Sequence, residues 1–181
     1  MNDSSITDEK LLQHYKAGDE HAFYELFRRY EKPVISYLFG MTGNLEQSKD
    51  VCQETFLKLI NKPPTFFFGG SLKSWLFRSA RNRMIDVIRR ESKKQALDDF
   101  VEQIDSLPDP QEKLSKHDDF TELNSVMEQL EDKFREVVVL YYFSEMTYKE
   151  IAKVMGIPIG TALWRMQKAI SQMQDIYENK K

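Results

Sequence analysis

Arg78, Arg81, Arg83, Arg89, Arg90, Lys93 and Lys94 crowd one short segment, and Trp75 together with Phe66, Phe67 and Phe68 lies just before it. Cations beside aromatic rings suit single-stranded nucleic acid, because bases stack on rings while guanidinium groups follow phosphates. Arg78, Asn82 and Arg89 fall together on one side of the helix that this segment predicts, with Leu76, Ala80, Val87 and Ile88 as its core stripe. A solvated basic face and a core tryptophan fit the same composition, so the segment alone does not decide between them.

A second constellation stands at Asp50–Ile60. At 100° per residue, Val51, Cys52, Thr55, Phe56, Leu59 and Ile60 share one side, and Asp50, Gln53, Glu54, Leu57 and Lys58 the other. A leucine in the middle of a polar face is either a stray surface residue or the anchor of a docking face whose rim is Asp50, Gln53 and Glu54. Enzymatic patterns are missing. Gly69-Gly70-Ser71 has neither the spacing nor the lysine of a phosphate-binding loop, and no nucleophile, histidine and carboxylate set stands out. Three scattered histidines (His14, His21, His117) and the single cysteine, Cys52, do not make a metal site. No catalytic residue, metal or cofactor is therefore expected.

These residues need helices to position them. Apolar spacing of three and four predicts helices over about 8–17, 19–39 and 44–60, a loop over 61–71 and a fourth helix over 72–94. The second helix puts Phe23, Leu26, Phe27 and Tyr30 on one face. Between 95 and 118 the pattern weakens. Asp98, Asp99, Glu102, Asp105, Asp109 and Glu112 gather there around Pro108 and Pro110, which reads as a flexible acidic linker. Helices resume near Asp119. Thr147-Tyr148-Lys149-Glu150 has capping-box spacing, Gly156-Ile157-Pro158 ends that short helix, and a last helix begins near Ile159, a helix-turn-helix pattern. On that last helix Met166, Ile170 and Met173 predict a buried stripe. Leu163 is expected to pack at its border and Trp164 to stay largely exposed.

The fold expected is all-α, with two small helical domains (1–94 and 119–181) joined by the linker. Hydrophobic residues at 41% and charged residues at 30% of 181 are enough for a folded core. The apolar run Val137–Phe143 is far shorter than the roughly 20 residues of a membrane span, and no basic-then-apolar leader opens the chain. With one unpaired cysteine, a cytoplasmic setting is expected. A net charge of −3 argues against a stand-alone duplex binder.

Four motifs in order carry a family resemblance: Gly18-Asp19-Glu20-His21-Ala22-Phe23 with Leu26-Phe27; Asp50-Val51-Cys52-Gln53-Glu54-Thr55-Phe56; Trp75-Leu76-Phe77-Arg78-Ser79-Ala80-Arg81-Asn82; and Tyr148-Lys149-Glu150-Ile151-Ala152 with Gly156-Ile157-Pro158-Ile159-Gly160-Thr161. Together they resemble the sigma-70 family, specifically its extracytoplasmic-function (ECF) group, over about residues 8–94 and 120–176. The resemblance implies a sigma factor that binds core RNA polymerase and directs it to promoter DNA, assisting melting, with an anti-sigma factor as a further partner. It implies that Asp50, Gln53, Glu54 and Leu57 contact polymerase. Phe66, Phe67, Phe68, Ser71, Trp75, Arg78, Arg81, Asn82 and Arg89 would hold the unpaired minus-10 strand, a base flipped into the 61–71 loop offsetting its unstacking. Thr161, Trp164, Arg165, Gln167 and Lys168 would read the minus-35 element in the major groove. Relatives usually carry a basic residue at Leu163, a small polar one at Trp164 and often a basic one at Ile170, so the minus-35 preference departs from theirs. A sigma-like interaction protein and a helix-turn-helix repressor are the rival readings; the repressor leaves the Asp50–Ile60 face and the Trp75–Asn82 motif unexplained.

Overall fold

The computed structural model describes residues 6–64, 71–101 and 126–178, with side chains described in 71–92 of the middle stretch. Its described residues hold helices and no strand. The first unit is α1 (Asp8–Lys16), α2 (Glu20–Thr42), α3 (Leu45–Asn61) and α4 (Leu72–Val101). Local chemistry sets each start. The Thr7 hydroxyl caps α1, the Asp19 carboxylate accepts from the amides of His21 and Ala22, and the Asn44 side chain accepts from that of Gln47. α2 ends on Gly43, whose φ of 67° is the left-handed conformation that glycine adopts without a Cβ clash. Ser71 starts α4, its hydroxyl accepting from the Ser74 amide at 3.2 Å.

The second unit is α5 (Asp132–Val138), a π-helical turn (Val139–Phe143), α6 (Tyr148–Met155) and α7 (Ile159–Glu178). Thr147 and Glu150 form the capping box, with the Glu150 carboxylate accepting from the Thr147 amide at 2.9 Å. Gly156, at φ 68°, turns the chain, and the Ile157 amide returns to the Ala152 carbonyl at 3.0 Å. Pro158 then precedes α7 as the motif requires, and the helix-turn-helix is formed.

The core runs through both units. Leu26, Val34, Leu38, Leu59, Leu72, Leu76 and Phe77 are buried in the first, and Val137, Leu140, Met146, Ile151 and Ala162 in the second, as parts of one apolar cluster. Phe23, Phe27 and Phe56 join α2 to α3 by ring contacts, Phe27 and Phe56 at 4.8 Å between centroids. Burial pushes the Cys52 thiol up to about 12, so it is a small apolar core group and not a reactive one.

Four sequence expectations fail for one reason: in a helix that packs on two sides, the buried stripe is not where the largest apolar residues are densest. Ile60 and Ile88 are exposed, and Phe77 and Met84 take their place inside, while Val87 packs only partly. On α7 the buried residues are Ala162, Met166 and Ala169, small side chains that let the helix approach closely. This turns Ile170 outward and leaves Leu163 40% exposed instead of packed. α4 also continues to Val101, past the expected end at Lys94, so the first part of the presumed linker is helical. Residues 102–118 lie outside the described residues.

Candidate polymerase and promoter surfaces

α3 presents Asp50, Gln53, Glu54, Leu57 and Lys58 outward, while Val51, Cys52, Thr55, Phe56 and Leu59 are buried against α2 and α4. Leu57 is 55% exposed amid these polar neighbours. Two contacts absent from the sequence reading fix the rim. The Arg83 guanidinium of α4 pairs with the Glu54 carboxylate through two hydrogen bonds, the Nη2 one at 2.8 Å, and that bond holds Glu54 below the usual carboxylate range. The Lys58 ammonium lies 5.7 Å from the centre of the Trp75 ring. The α3 face and α4 are therefore joined at this surface, with the Glu54 carboxylate oriented by Arg83. Arg83 carried the signal of a basic residue on α4; its partner was invisible because it depends on how α3 and α4 cross.

On α4, Trp75 is half-buried against the core and Arg78, Asn82 and Arg89 are exposed, side by side as the helical spacing requires. Ser71 is partly buried and engaged with Ser74. Phe66, Phe67 and Phe68 lie outside the described residues. Arg81 differs from its neighbours. Its guanidinium reaches Glu136 of α5, Nε to Oε1 at 2.6 Å and Nη2 to Oε2 at 3.2 Å, and the Tyr37 hydroxyl donates to the same Oε1 at 2.8 Å. Burial opposes the Arg81 charge, but the bonds and charge of Glu136 more than offset it and raise the guanidinium above its ordinary value. Burial, then Glu136, pushes the Tyr37 hydroxyl well up, so Tyr37 stays a donor. Glu136 is 5% exposed. Neither Glu136 nor Tyr37 belongs to a motif, and nothing local in the sequence pairs them.

On α7, Trp164, Gln167 and Lys168 are exposed, and Thr161 and Arg165 are partly so. Trp164 is 49% exposed, because one edge of its ring meets Phe134 of α5 at 5.9 Å between centroids. With Leu163 also outward, the first turns of α7 present the large apolar side chains Ile159, Leu163 and Trp164 beside the polar or basic Thr161, Arg165, Gln167 and Lys168. Among the described residues no cluster of histidine, cysteine and carboxylates is suited to a metal, and no helix is long and apolar enough to cross a membrane.

Comparison with known proteins matches this layout. Residues 26–94 fit the family model of sigma-70 region 2, and residues 126–175 that of sigma-70 region 4. The RNA polymerase sigma factor YlaC of Bacillus subtilis is 31% identical over 137 residues, 73% of this chain and 78% of YlaC. The ECF RNA polymerase sigma factor SigW of the same organism is 27% identical over 169 residues, 88% of this chain and 90% of SigW. Two solved structures share the fold. CnrH in complex with the cytosolic domain of CnrY superposes with a TM-score of 0.72 at 20% identity, covering 96% of this chain and 99% of that one. The sigma factor RpoE of Bartonella quintana, in complex with the anti-sigma factor NepR, gives 0.70 at 22%, covering 86% and 96%. With its motifs on α3 and α4, its helix-turn-helix and these relatives, the chain belongs to the ECF group of sigma-70 RNA polymerase sigma factors, the subunits that direct the polymerase to promoters.

Proposed function

We propose that the three exposed surfaces divide the work of promoter recognition. Asp50, Gln53, Glu54 and Leu57 on α3 dock on core polymerase. Trp75, Arg78, Arg81, Asn82 and Arg89 on α4, with Ser71 and Phe66–Phe68 just before it in the chain, hold the unpaired minus-10 strand and so assist melting. Thr161, Trp164, Arg165, Gln167 and Lys168 on α7 read the minus-35 element, with 1–94 and 119–181 as the two domains concerned. The observation that carries this reading is Leu57, a large apolar side chain exposed on a face whose charged neighbour Glu54 is held in place by Arg83. An apolar centre with an ordered polar rim is the anatomy of a protein interface.

Each surface alone is weak, and an acidic chain binds duplex poorly. Joined on polymerase, the two DNA surfaces act together and gain by effective concentration. The chain carries out no reaction of its own, works in the cytoplasm where the polymerase is, and takes an anti-sigma partner, by analogy with the sigma factor RpoE in complex with the anti-sigma factor NepR.

The minus-35 assignment is tested at Trp164. Trp164→Ser removes apolar contact with thymine methyl groups and also a ring edge from Phe134, so a thermal melt accompanies it. Transcription from promoters varied at single minus-35 positions is expected to show a shifted or relaxed preference confined to those positions, by roughly tenfold at the contacted base. A uniform loss across all promoters, with an unchanged melt, contradicts base contact.

A further inference from the structure

α1 is held at both ends. At its start, the Asp8 carboxylate accepts from the Arg29 guanidinium at 2.9 Å and from the Tyr30 hydroxyl, and the same guanidinium reaches the Ile6 carbonyl at 2.8 Å. Leu11 and Leu12 are buried, and the helix packs on α2 and α4. In its last turn the Tyr15 ring meets Phe23 of α2 at 5.2 Å between centroids, and Phe23 meets Phe56 of α3 at 6.2 Å. This chain of rings brings the end of α1 toward the end of α3.

Lys16, the next residue, uses that placement. Its ammonium donates to the Pro64 carbonyl at 2.7 Å, 48 residues away in sequence. Pro64 is where the described chain leaves α3, and it resumes at Ser71, whose hydroxyl starts α4. Pro63 and Pro64 have no amide hydrogen, so the backbone at this exit can be tied only through what its carbonyls accept. A lysine in the last turn of a helix ordinarily complements the helix dipole and faces solvent. This one reaches across to another element, with a charged donor, the stronger kind of hydrogen bond.

We propose that Lys16 is a positioning residue for the minus-10 contact: by holding the Pro64 carbonyl it fixes the point from which the chain crosses from α3 to Trp75 and Asn82 on α4. This rests on the functional reading above, in which the α4 face meets the unpaired strand. A span whose root is free has more conformations to lose when it closes on a base, and that ordering cost is taken out of the binding. With Lys16 in place, part of the ordering is complete before DNA arrives. Asp8, Arg29 and Tyr30 fix the far end of the same helix, so the lysine is carried by an element that is itself held. Lys16 acts through Pro64 and touches no DNA.

Three full-length variants test this: Lys16→Met, which keeps the stem and loses the donor; Lys16→Arg, which keeps a donor; and Lys10→Met, which removes the same charge from an exposed position near the start of α1. Without polymerase, a nitroxide on Lys62→Cys, also an exposed position, in a Cys52→Ala background reports the freedom of the α3 exit. Its mobility is expected to rise in Lys16→Met and to stay at the parent level in the other two. With core polymerase, on a promoter that the parent chain opens, Lys16→Met is expected to slow opening about fivefold, the scale of one net hydrogen bond. It also blunts discrimination among minus-10 bases by a similar factor, while Lys16→Arg restores both and Lys10→Met changes neither. Unchanged mobility, raised mobility with unchanged opening, or an equal defect in Lys10→Met overturns the proposal. So does a salt dependence of promoter binding lowered by about one in Lys16→Met, which marks a phosphate contact instead. A parent chain that opens no promoter defeats the functional reading and this role with it, and the nitroxide still shows whether the Lys16 tie exists.

Discussion

Leu57→Ala lowers the affinity for core RNA polymerase by roughly tenfold or more and leaves the thermal melt of the free protein unchanged. The side chain is exposed and contributes nothing to the core, so its removal opens no cavity. At an interface centre, truncating an apolar anchor commonly costs about 1–2 kcal/mol or more, which is that tenfold. Glu54→Lys has a larger effect on binding. It reverses the charge of the rim and sets a third cation beside Arg83 and Arg90, where the native carboxylate is paired. The pair is half-exposed, so its loss is expected to move the melt little. Pull-down and titration against core enzyme, with calorimetry of the free chain, measure both quantities. Undiminished binding in Leu57→Ala, Gln53→Ala and Glu54→Lys alike removes the docking assignment.

The second large effect falls on promoter opening. Arg78→Ala with Asn82→Ala deletes two exposed polar side chains from the α4 face. Their expected role is at bases that are already unpaired, so recruitment to duplex should change little, while the rate of open-complex formation falls by about tenfold, the scale of ~1.5 kcal/mol of lost hydrogen bonding. A template with a pre-opened bubble has no unstacking cost left to offset. Permanganate footprinting on both templates separates the steps. Rescue by the bubble is the result expected, and an equal defect on both templates contradicts base capture.

Helix starts were legible because they are local. Thr7, Asp19, Asn44 and the Thr147–Glu150 box each need only three or four neighbouring residues. The exposed and buried sides of α3 were legible as well, apart from Ile60, since its 100° pattern otherwise matches the pattern of burial. α7 was misread because Ala162 and Ala169, not Leu163 and Ile170, make the close contacts. A hydrophobicity pattern weights side-chain size, whereas close helix packing rewards small residues. The same limit hid Ile60 and Ile88. Two ion pairs, and the tyrosine bonded to one of them, could not be read from the sequence. Arg83–Glu54 depends on how α3 and α4 cross, and Arg81–Glu136 with Tyr37 joins residues from separate units. No period or cap records such pairs. Arg81 itself was found, by its place in the α4 motif, and what the sequence could not reveal is that in this arrangement its charge is already answered.

On this reading the chain places polymerase at promoters through the α3, α4 and α7 surfaces. Multi-promoter transcription with purified core enzyme tests it most directly, using a pool of promoter fragments with and without the full chain, and with the Glu54→Lys variant in parallel. Discrete transcripts from specific start sites, dependent on the chain and lost in the variant, are the predicted result. A transcript profile identical to that of core enzyme alone, from a chain that still binds core, would contradict the account.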